Sequence, residues 1–468
     1  MKRYDIIAVG GGAAGLVTAA GAAGLGARVA LIEQDRMGGE CLWTGCVPSK
    51  ALLAAARVGA AARDADRFGI EVTETRVNFE RVMTHVRNAQ QAIAPNDSPE
   101  RFRGLGVDVF QGTATFADRS TVRVNEESIC ARHIVIATGS RPAVPQLPGL
   151  DAVPYLTNEN VFELTELPAS LVVIGGGAIG VELAQAFALL GSKVTLIESD
   201  ARILRSEDEE VAELLAMRLR RDGVVIHTAT TVQRVARTGV DVQVTTSLGT
   251  FTASALLVAA GRKANTDALE LDGIGVAHDD SGVRVDKYLR TNVRNVWAIG
   301  DVVAGTPRFT HVADYQARLV LRNALFPGRS AADYSSVPWA IYTHPELAHI
   351  GLTEAEARAR VGDDARVWRK SFGELDRAIA DGQTEGLLKI VTDPKGNILG
   401  AHLIGAQAST LLGEIALAMK TGVPLGKLSG IMHAYPTYPE AIKQIGDAYV
   451  RAGFKGLARR AAGWFVRR

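Results

Sequence analysis

The feature that most constrains this chain is a glycine-rich pattern that occurs twice. The first copy, Gly10-Gly-Gly12-Ala-Ala-Gly15, directly follows the segment Asp5-Ile-Ile-Ala-Val9 and precedes an alanine-rich stretch. This order predicts a buried parallel strand, a tight turn and a helix. Gly10 permits the turn, Gly12 lets a pyrophosphate approach the backbone, and Gly15 lets the helix pack on the strand. The helix N-terminus then faces the phosphates.

The same pattern occurs again in the middle of the chain. The segment Leu171-Val-Val-Ile174 is followed by Gly175-Gly-Gly177-Ala-Ile-Gly180 and a second helical stretch. The glycines have the same spacing, so each is expected to have the same role as its counterpart in the first copy. Two complete copies predict two bound dinucleotides, and the economical pairing is a resident flavin with a diffusible nicotinamide.

An acidic residue completes each copy. The strands predicted after the two turns end in Glu33 and Glu198, each 23 residues after the first glycine of its copy. A carboxylate at this place accepts hydrogen bonds from a ribose diol. Glu198 would also repel the 2′-phosphate of NADP, which favours NADH as the electron donor. Arg202 and Arg205 lie close enough in sequence to leave NADPH binding open.

Length and composition agree with a multidomain α/β protein. The chain has 468 residues, too many for one hydrophobic core, and 48 glycines. Lysine and arginine together number 52 against 51 acidic residues, so no nucleic-acid partner is expected. The uncharged stretch Ile6–Gly26 has a strand-like start and many glycines, which argues against a membrane span.

Cysteine usage points to redox chemistry in a reducing compartment. The chain has 3 cysteines, too few for a secreted disulfide scaffold, and a cytoplasmic location is expected. Cys41 and Cys46 are separated by four residues that include Gly45, which permits a small disulfide ring. Pro48 indicates a helix beginning just after Cys46, and Lys50 adds a positive charge, so a thiolate would be stabilised there.

The cysteines allow two other interpretations. Cys41 and Cys46 could be reduced core thiols or half of a zinc site, but no further ligands with metal-binding spacing lie nearby, and no metal is expected. The dinucleotide motif beside the pair favours a redox-active disulfide. Cys130 lies in an ordinary strand pattern and is expected to be inert.

Three further segments make the chain recognisable. Ile136-Ala-Thr138-Gly139-Ser140, Ala260-Gly261-Arg262 and Val296-Trp-Ala-Ile-Gly300-Asp301 stand in the expected order after the motifs above. With these, the chain resembles the pyridine nucleotide-disulfide oxidoreductases, the family of dihydrolipoamide dehydrogenase, glutathione reductase and mercuric reductase. The resemblance spans nearly the whole chain and implies a flavoenzyme with FAD and NADH, or NADPH, as cofactors.

The resemblance also implies an architecture. It is α/β, with two Rossmann-like dinucleotide-binding domains and an α+β C-terminal dimerisation domain, in a homodimer. The FAD-binding domain would comprise residues 1–150 and 265–335, the NAD(P)-binding domain residues 151–264, and the dimerisation domain residues 336–452. The hydrophobic strand pattern of residues 386–404 is consistent with a sheet in that last domain.

Residue roles are implied in the same way. Lys50 and Glu182 would pair beside the reactive flavin nitrogen, Cys46 would contact the flavin, and Cys41 would face the substrate. A second flavin contact would come from Thr138, Gly139 and Ser140. Asp301 would hold the ribityl chain, and Gly261 would lie at the exit of the nicotinamide domain.

The chain departs from the family near its C-terminus. Dihydrolipoamide dehydrogenase and glutathione reductase have a His-Pro base oriented by a glutamate, and alignment on Pro436-Thr-x-x-Glu440 places Tyr435 where that histidine would stand. A phenol titrates near 10 and is a poor base at neutral pH. His433 stands two residues upstream and would point the same way on an extended segment.

Tyrosine at this place is similar to mercuric reductase, which also has a C-terminal cysteine pair that this chain lacks. The expectation is a mercuric reductase-like enzyme that reduces a disulfide, a metal ion or a quinone-type acceptor. Dihydrolipoamide dehydrogenase is the enzyme alternative, and a flavin-binding redox sensor with little turnover is the alternative of another class.

The last residues form a basic amphipathic tail, predicted over residues 453–468. Phe454, Leu457, Ala461 and Trp464 have helical spacing among five basic residues. The tail could contact a membrane surface or an acidic partner. A solvated helix covering the dimer is the alternative.

Overall fold

The computed structural model describes residues 2–453, so residues 454–468 of the predicted tail lie outside the described residues. The chain divides into two compact units. Unit 1 comprises the chain up to Gly175, Leu189–Ile197 and Thr231–Tyr334; unit 2 comprises Gly176–Ala188, Glu198–Thr230 and the chain from Ser335. The three domains predicted from the sequence have boundaries that differ from those of these two units, and they stay a prediction.

The strands of the described residues are β1 (Lys2–Val9), β2 (Val29–Glu33), β3 (Val107–Gln111), β4 (Ala114–Asp118), β5 (Thr121–Val124), β6 (Glu127–Ile136), β7 (Ser140–Pro142), β8 (Ser170–Ile174), β9 (Lys193–Ile197), β10 (Val224–His227), β11 (Val232–Thr238), β12 (Asp241–Thr246), β13 (Gly249–Ala253), β14 (Ala255–Val258), β15 (Arg262–Ala264), β16 (His278–Asp279), β17 (Gly282–Val283), β18 (Val296–Ala298), β19 (Pro338–Ile341), β20 (Glu346–Gly351), β21 (Arg366–Ser371), β22 (Leu387–Thr392) and β23 (Ile398–Gly405).

The α-helices are α1 (Ala13–Gly24), α2 (Gly39–Trp43), α3 (Cys46–Arg63), α4 (Phe79–Ile93), α5 (Pro99–Gly104), α6 (Ala178–Leu190), α7 (Glu209–Arg221), α8 (Leu271–Ile274), α9 (Thr310–Leu325), α10 (Glu354–Val361), α11 (Asp376–Ala380), α12 (Ala408–Thr421), α13 (Leu425–Leu428) and α14 (Glu440–Gly453). No helix within residues 2–453 is long and apolar enough to cross a membrane, and the stretch Ile6–Gly26 forms most of β1 and α1.

Unit 1 is built around a sheet in the order β3-β2-β1-β6-β5-β4, with β18 beside β6. β1 pairs in parallel with β2 and β6. Parallel strands are joined by crossover connections and are buried on both faces, which explains their continuous apolar sequences. Ile6, Ile7 and Ile134 are fully buried in the two apolar layers that cover the sheet. A second parallel set, β9-β8-β14, carries the second glycine turn at the end of β8. The predicted α/β class is confirmed.

Unit 2 contains an antiparallel sheet in the order β19-β20-β23-β22-β21. Its apolar face packs with α12, α13 and α14 around residues such as Phe372, Leu403 and Ile415. The strand pattern predicted over residues 386–404 corresponds to β22 and β23. The same unit contains the residues that follow the second glycine turn and most of the helix α6.

A buried charge cluster lies on the other side of this sheet. The Lys389 ammonium, 4% exposed, contacts the carboxylates of Asp208 at 2.8 Å, Glu354 at 2.7 Å and Glu210 at 3.1 Å. Burial opposes ionisation of Asp208, yet the hydrogen bonds from Lys389 hold the pKa of this carboxyl below its usual value. Glu210 and Glu354 also contact Arg369, whereas Lys389 is the buried cation that contacts Asp208.

The side chain of His402 gives unit 2 a sensitivity to acid. Burial, reinforced by the neighbouring His349, lowers the pKa of His402 to about 4. Above the unfolded pKa near 6.5 the imidazole is neutral in both states, but below it only the unfolded chain takes up the proton. We expect folding to lose about 3 kcal/mol from this group between pH 6.5 and 4.

Unfolding midpoints of the holoprotein between pH 7 and 4 measure this loss. His402→Gln should flatten part of the acid decline, whereas His85→Gln, at an exposed helical position, should leave the profile unchanged. An acid decline of equal size in His402→Gln and the wild type would contradict the expectation.

Candidate functional site

The two cysteines lie on consecutive short elements of unit 1. Cys41 is in α2 and Cys46 is the first residue of α3, so the helix begins at Cys46 itself rather than just after it. Both are free thiols. A hydrogen bond with Cys46, followed by burial, raises the pKa of the Cys41 thiol. Cys41 is therefore the thiol that keeps its proton.

Cys46 lies where two helices begin. Its Sγ is 3.6 Å from the Oγ1 of Thr310, the first residue of α9, and it is itself the first residue of α3. Helix N-termini stabilise negative charge, and a hydroxyl can donate to a thiolate. Cys46 is exposed, whereas Cys41 is half-buried.

A half-buried ion pair holds the segment that carries Cys41. Arg262 of β15 makes a bidentate contact with the carboxylate of Glu40, which precedes Cys41 in α2. Asn158 donates to the same carboxylate at 3.0 Å and to the carbonyl of Thr44 at 3.2 Å. Burial raises the pKa of Glu40 although Arg262 opposes the shift. No local sequence pattern singles out Glu40 or Asn158, and Arg262 stands out in the sequence only as part of a motif.

The predicted flavin contacts Ser140 and Asp301 lie beside this ion pair. The Oγ of Ser140 donates to Asp301 at 2.9 Å and accepts from the Nε of Arg262 at 2.9 Å. The hydroxyl of Thr138 donates to the carbonyl of Asn265 at 2.6 Å. Gly139 and Gly261 both have a positive φ, of +70° and +134°, which favours glycine at these turns. The structure thus brings residues 138–140, residues 262–265 and Asp301 together beside the Glu40–Arg262 pair, next to Cys41 in the chain.

The first glycine turn has the geometry of a phosphate cradle. A Cβ on Gly10 would lie 2.3 Å from the carbonyl oxygen of Ala137, and one on Gly15 would lie 1.8 Å from that of Gly10. Both positions require glycine for packing. A Cβ on Gly12 would instead meet no atom of the described chain closer than Gly39 Cα at 3.9 Å. Open space at the start of α1 fits the pyrophosphate of FAD.

The glycines of the second turn have the same roles as those of the first: two are required for packing and one faces open space. Gly175 has a φ of +109° and no room for a Cβ beside Ala259, and Gly180 is buried in α6. At Gly177, a Cβ would have nothing within 4 Å among residues 2–453. The space in front of Gly177 therefore fits a second pyrophosphate.

The two acidic residues also have matching contacts. Glu33 accepts hydrogen bonds from the backbone N–H groups of Gly11 at 2.5 Å and Asp35 at 2.8 Å. Glu198 accepts from those of Gly176 at 2.6 Å and Asp200 at 2.8 Å. Each carboxylate is thus held at the turn, where a ribose would lie beside it.

A cavity of about 500 Å³ lies at the second turn within unit 2. The residues that line it are Gly176, Gly177, Ala178, Glu198, Asp200, Leu204, Arg205, Ser206, Glu207 and Ile341. Arg202 donates to the backbone carbonyls of Leu204, Arg205 and Glu207, so its guanidinium stabilises the loop of residues 202–207. Arg205 forms an exposed pair with Asp200 and is the one of the two arginines that lines the cavity.

The predicted Lys50–Glu182 pair falls on residues of different units. Lys50 is the fifth residue of α3 in unit 1. Glu182 is buried in unit 2, where its carboxylate accepts a hydrogen bond from the backbone N–H of Tyr342 at 2.8 Å. The pairing stays a prediction.

The C-terminal residues that departed from the family pattern have separate partners. The hydroxyl of Tyr435 donates to Asp376 at 2.7 Å, and this hydrogen bond raises the pKa of Tyr435. The Nε2 of His433 lies 3.0 Å from the carboxylate of Glu414, a residue that no sequence pattern singles out. Glu440 has a hydrogen bond from Gln444 and none with Tyr435 within residues 2–453. His433 and Tyr435 thus contact different carboxylates on different helices.

Comparisons with known proteins agree with these features. The family model "pyridine nucleotide-disulphide oxidoreductase" matches residues 4–317, and the model of that family's dimerisation domain matches residues 337–445. Mercuric reductase of Streptomyces lividans is 35% identical over 458 residues, which cover 94% of this chain and 95% of that protein. Dihydrolipoyl dehydrogenase of Bacillus subtilis (strain 168) is 32% identical, with coverage of 97% and 99%.

Solved structures give the same result. The Cu(II) complex of the HOCl-induced flavoprotein disulfide reductase RclA from Escherichia coli superposes with a TM-score of 0.87 at 30% sequence identity. The superposition covers 96% of this chain and 100% of that one. The resemblance read from the sequence motifs is confirmed.

Proposed function

Because this chain belongs to the pyridine nucleotide-disulphide oxidoreductase family, we propose that it passes electrons from NADH through FAD and the Cys41–Cys46 pair to a thiophilic metal ion such as Hg(II) or Cu(II). Members of this family are FAD-dependent enzymes with NAD(P)H as the electron donor. Bound FAD supplies two-electron transfer between the nicotinamide and the cysteine pair.

The chain's own residues prepare the sulfurs for this task. Cys46, at the start of α3 and beside Thr310, is the sulfur that the helix ends stabilise as a thiolate. Cys41 keeps its proton and lies on the segment that Glu40 and Arg262 hold in place. When both cysteines are in the thiol form, the pair can donate two electrons to an acceptor. As they close to a disulfide and release two protons, one Hg(II) becomes Hg(0), or two Cu(II) become Cu(I).

One observation favours a metal over an organic disulfide. At the place of the family's histidine base stands Tyr435, whose hydroxyl donates to Asp376, and this contact raises its pKa further above neutrality. Disulfide exchange needs a group that moves protons on and off the reacting sulfurs, whereas a soft metal ion binds directly to thiolates. Relatives named mercuric reductase and a structure named as a Cu(II) complex support this choice.

A second candidate is dihydrolipoyl dehydrogenase activity. The imidazole of His433 lies against the Glu414 carboxylate, an arrangement that suits a general base. Relatives with this name are also about one third identical to the chain. In this case His433 would replace the missing histidine.

A panel of acceptors separates the two candidates. NADH oxidation should turn over many times with Hg(II) or Cu(II), and lipoamide reduction should be slower by a factor of about 10² to 10⁴. Tyr435→His should raise lipoamide turnover at least about tenfold and leave metal reduction nearly unchanged. Fast lipoamide turnover that His433→Gln abolishes would replace the first candidate by the second.

The second glycine turn provides a test of the donor site. Gly177→Val should raise the KM for NADH by about a hundredfold, because the new side chain fills the space expected for the pyrophosphate. The chain itself has room for this side chain, since no described atom lies within 4 Å of the Cβ position. Flavin content should therefore stay normal. An unchanged KM would show that this cavity is not the nucleotide site.

A further inference from the structure

Glu207 is a buried acid at the edge of the cavity in unit 2. It lines the cavity next to Ser206, but its side chain is only 3% exposed. The cavity is also lined by Gly177 and Glu198, which we have assigned to the pyrophosphate and the ribose of the nucleotide. A buried carboxylate beside a site for a doubly charged pyrophosphate is unfavourable unless a cation balances it.

Two aromatic side chains from the C-terminal sheet hold this carboxylate. The indole Nε1 of Trp339 in β19 donates to one oxygen of Glu207 at 2.8 Å. The Nδ1 of His349 in β20 lies 3.0 Å from the other oxygen. Besides the neighbouring Ser206 hydroxyl at 3.3 Å, the partners of the Glu207 carboxylate thus come from two adjacent strands far away in sequence.

The hydrogen-bond partner of the second ring nitrogen of His349 indicates that the ring is positively charged. Its Nε2 lies 2.8 Å from the carbonyl oxygen of Gly351, so both ring nitrogens face oxygen acceptors. Both hydrogen bonds form only when both nitrogens carry a proton, which makes the ring an imidazolium. The face of Trp339 stacks on it at a centroid distance of 3.7 Å, a contact that favours a cation.

None of the other titratable groups described near Glu207 and His349 supplies the positive charge that balances the Glu207 carboxylate. His402 packs edge-on against the His349 ring at 4.5 Å, and burial keeps it neutral near pH 7 by lowering its pKa to about 4. Lys389 contacts Asp208, Glu210 and Glu354. Arg202 donates to backbone carbonyls, including that of Glu207, and Arg205 pairs with Asp200, so neither guanidinium contacts the Glu207 carboxylate in the part of the chain that the structure describes. The 2% exposed His349 ring is therefore the charged partner of Glu207.

We propose that His349, stacked on Trp339, is a positioning residue that neutralises Glu207 beneath the nucleotide cavity and thereby sets the affinity of the enzyme for NADH. This inference rests on the proposed assignment of the cavity to the nucleotide. Loss of the imidazolium leaves a buried negative charge close to the pyrophosphate and weakens binding, whereas the hydride and thiol chemistry stays as it is.

Three variants of the holoenzyme test the proposal by charge balance. His349→Gln should raise the KM for NADH about tenfold with kcat nearly unchanged. The double variant Glu207→Gln/His349→Gln removes both charges and should return the KM to within about threefold of the wild type. His85→Gln, at an exposed position, is the matched control and should change neither constant.

The outcomes are distinct. A double variant that binds NADH no better than His349→Gln, or a fall of kcat and flavin content in parallel with the rise in KM, would show a purely structural role and overturn the proposal. Binding of ADP-ribose measured by calorimetry gives the same comparison without turnover. If Gly177→Val also leaves the KM for NADH unchanged, the assignment of the cavity is wrong; if it raises the KM, only the role of His349 is at stake.

Discussion

Cys46→Ser should reduce NADH-dependent reduction of any acceptor by a factor of about 10³ or more, because the hydroxyl that replaces the thiol can neither form the disulfide nor act as a thiolate. The variant should still bind FAD, since the glycine turn and Asp301 are untouched. Stopped-flow spectra should lack the long-wavelength absorbance that a thiolate gives beside an oxidised flavin. Acceptor-dependent NADH oxidation then measures the loss of turnover.

Cys130 provides the matched control for this experiment. It is a half-buried thiol in β6 whose Sγ contacts the carbonyl oxygen of Lys2 at 3.5 Å, away from the pair. Cys130→Ser should keep both turnover and the absorbance band. If Cys46→Ser retained more than one tenth of wild-type turnover, electrons would reach the acceptor without the cysteine pair, and the proposed function would be wrong.

Lys389→Met should lower the free energy of unfolding by about 3 to 5 kcal/mol, the usual cost of removing one partner from a buried ion cluster. The methionine fills the space of the lysine stem but leaves Asp208 buried without its cation. Burial then raises the pKa of Asp208, so the loss should be larger at pH 8 than at pH 5, where the carboxyl can take up a proton. Denaturant midpoints of the holoprotein at the two pH values measure both effects.

Lys370→Met is the control on the neighbouring strand. Lys370 lies in β21, and its partner Glu374 has a side chain that is 71% exposed. An ion pair with one solvent-exposed partner contributes about 0.2 to 1 kcal/mol, so this variant should shift the midpoint only slightly. Equal losses in the two variants would mean that the Lys389 cluster is no more important than a surface ion pair.

Local patterns predicted the parts of the site that lie along short stretches of chain. The glycine turns, the carboxylates of Glu33 and Glu198, and the helix that begins at Cys46 are each specified within about 25 residues. The spacing of these residues predicts their geometry directly, because strand, turn and helix follow one another at fixed distances along the chain. These features lie in the structure where the sequence placed them, apart from the start of the helix at Cys46.

The remaining features depend on contacts that no local pattern contains. Glu40 and Arg262 are 222 residues apart, and Glu207 and His349 are 142 residues apart. Such pairs form only when separate strands and helices are assembled, and a single sequence carries no signal for them. His433 and Tyr435 illustrate the same limit, because α12 and α11 supply their different acidic partners.

The composition of unit 2 has a practical consequence for recombining this enzyme with its relatives. Glu182, Gln185 and Glu207 all take hydrogen bonds from the segment Trp339–His349, so the nucleotide turn and the C-terminal sheet form one block. A chimera joined at the border between these two regions would sever the block. An exchange of donor preference between homologues should therefore transplant both regions together.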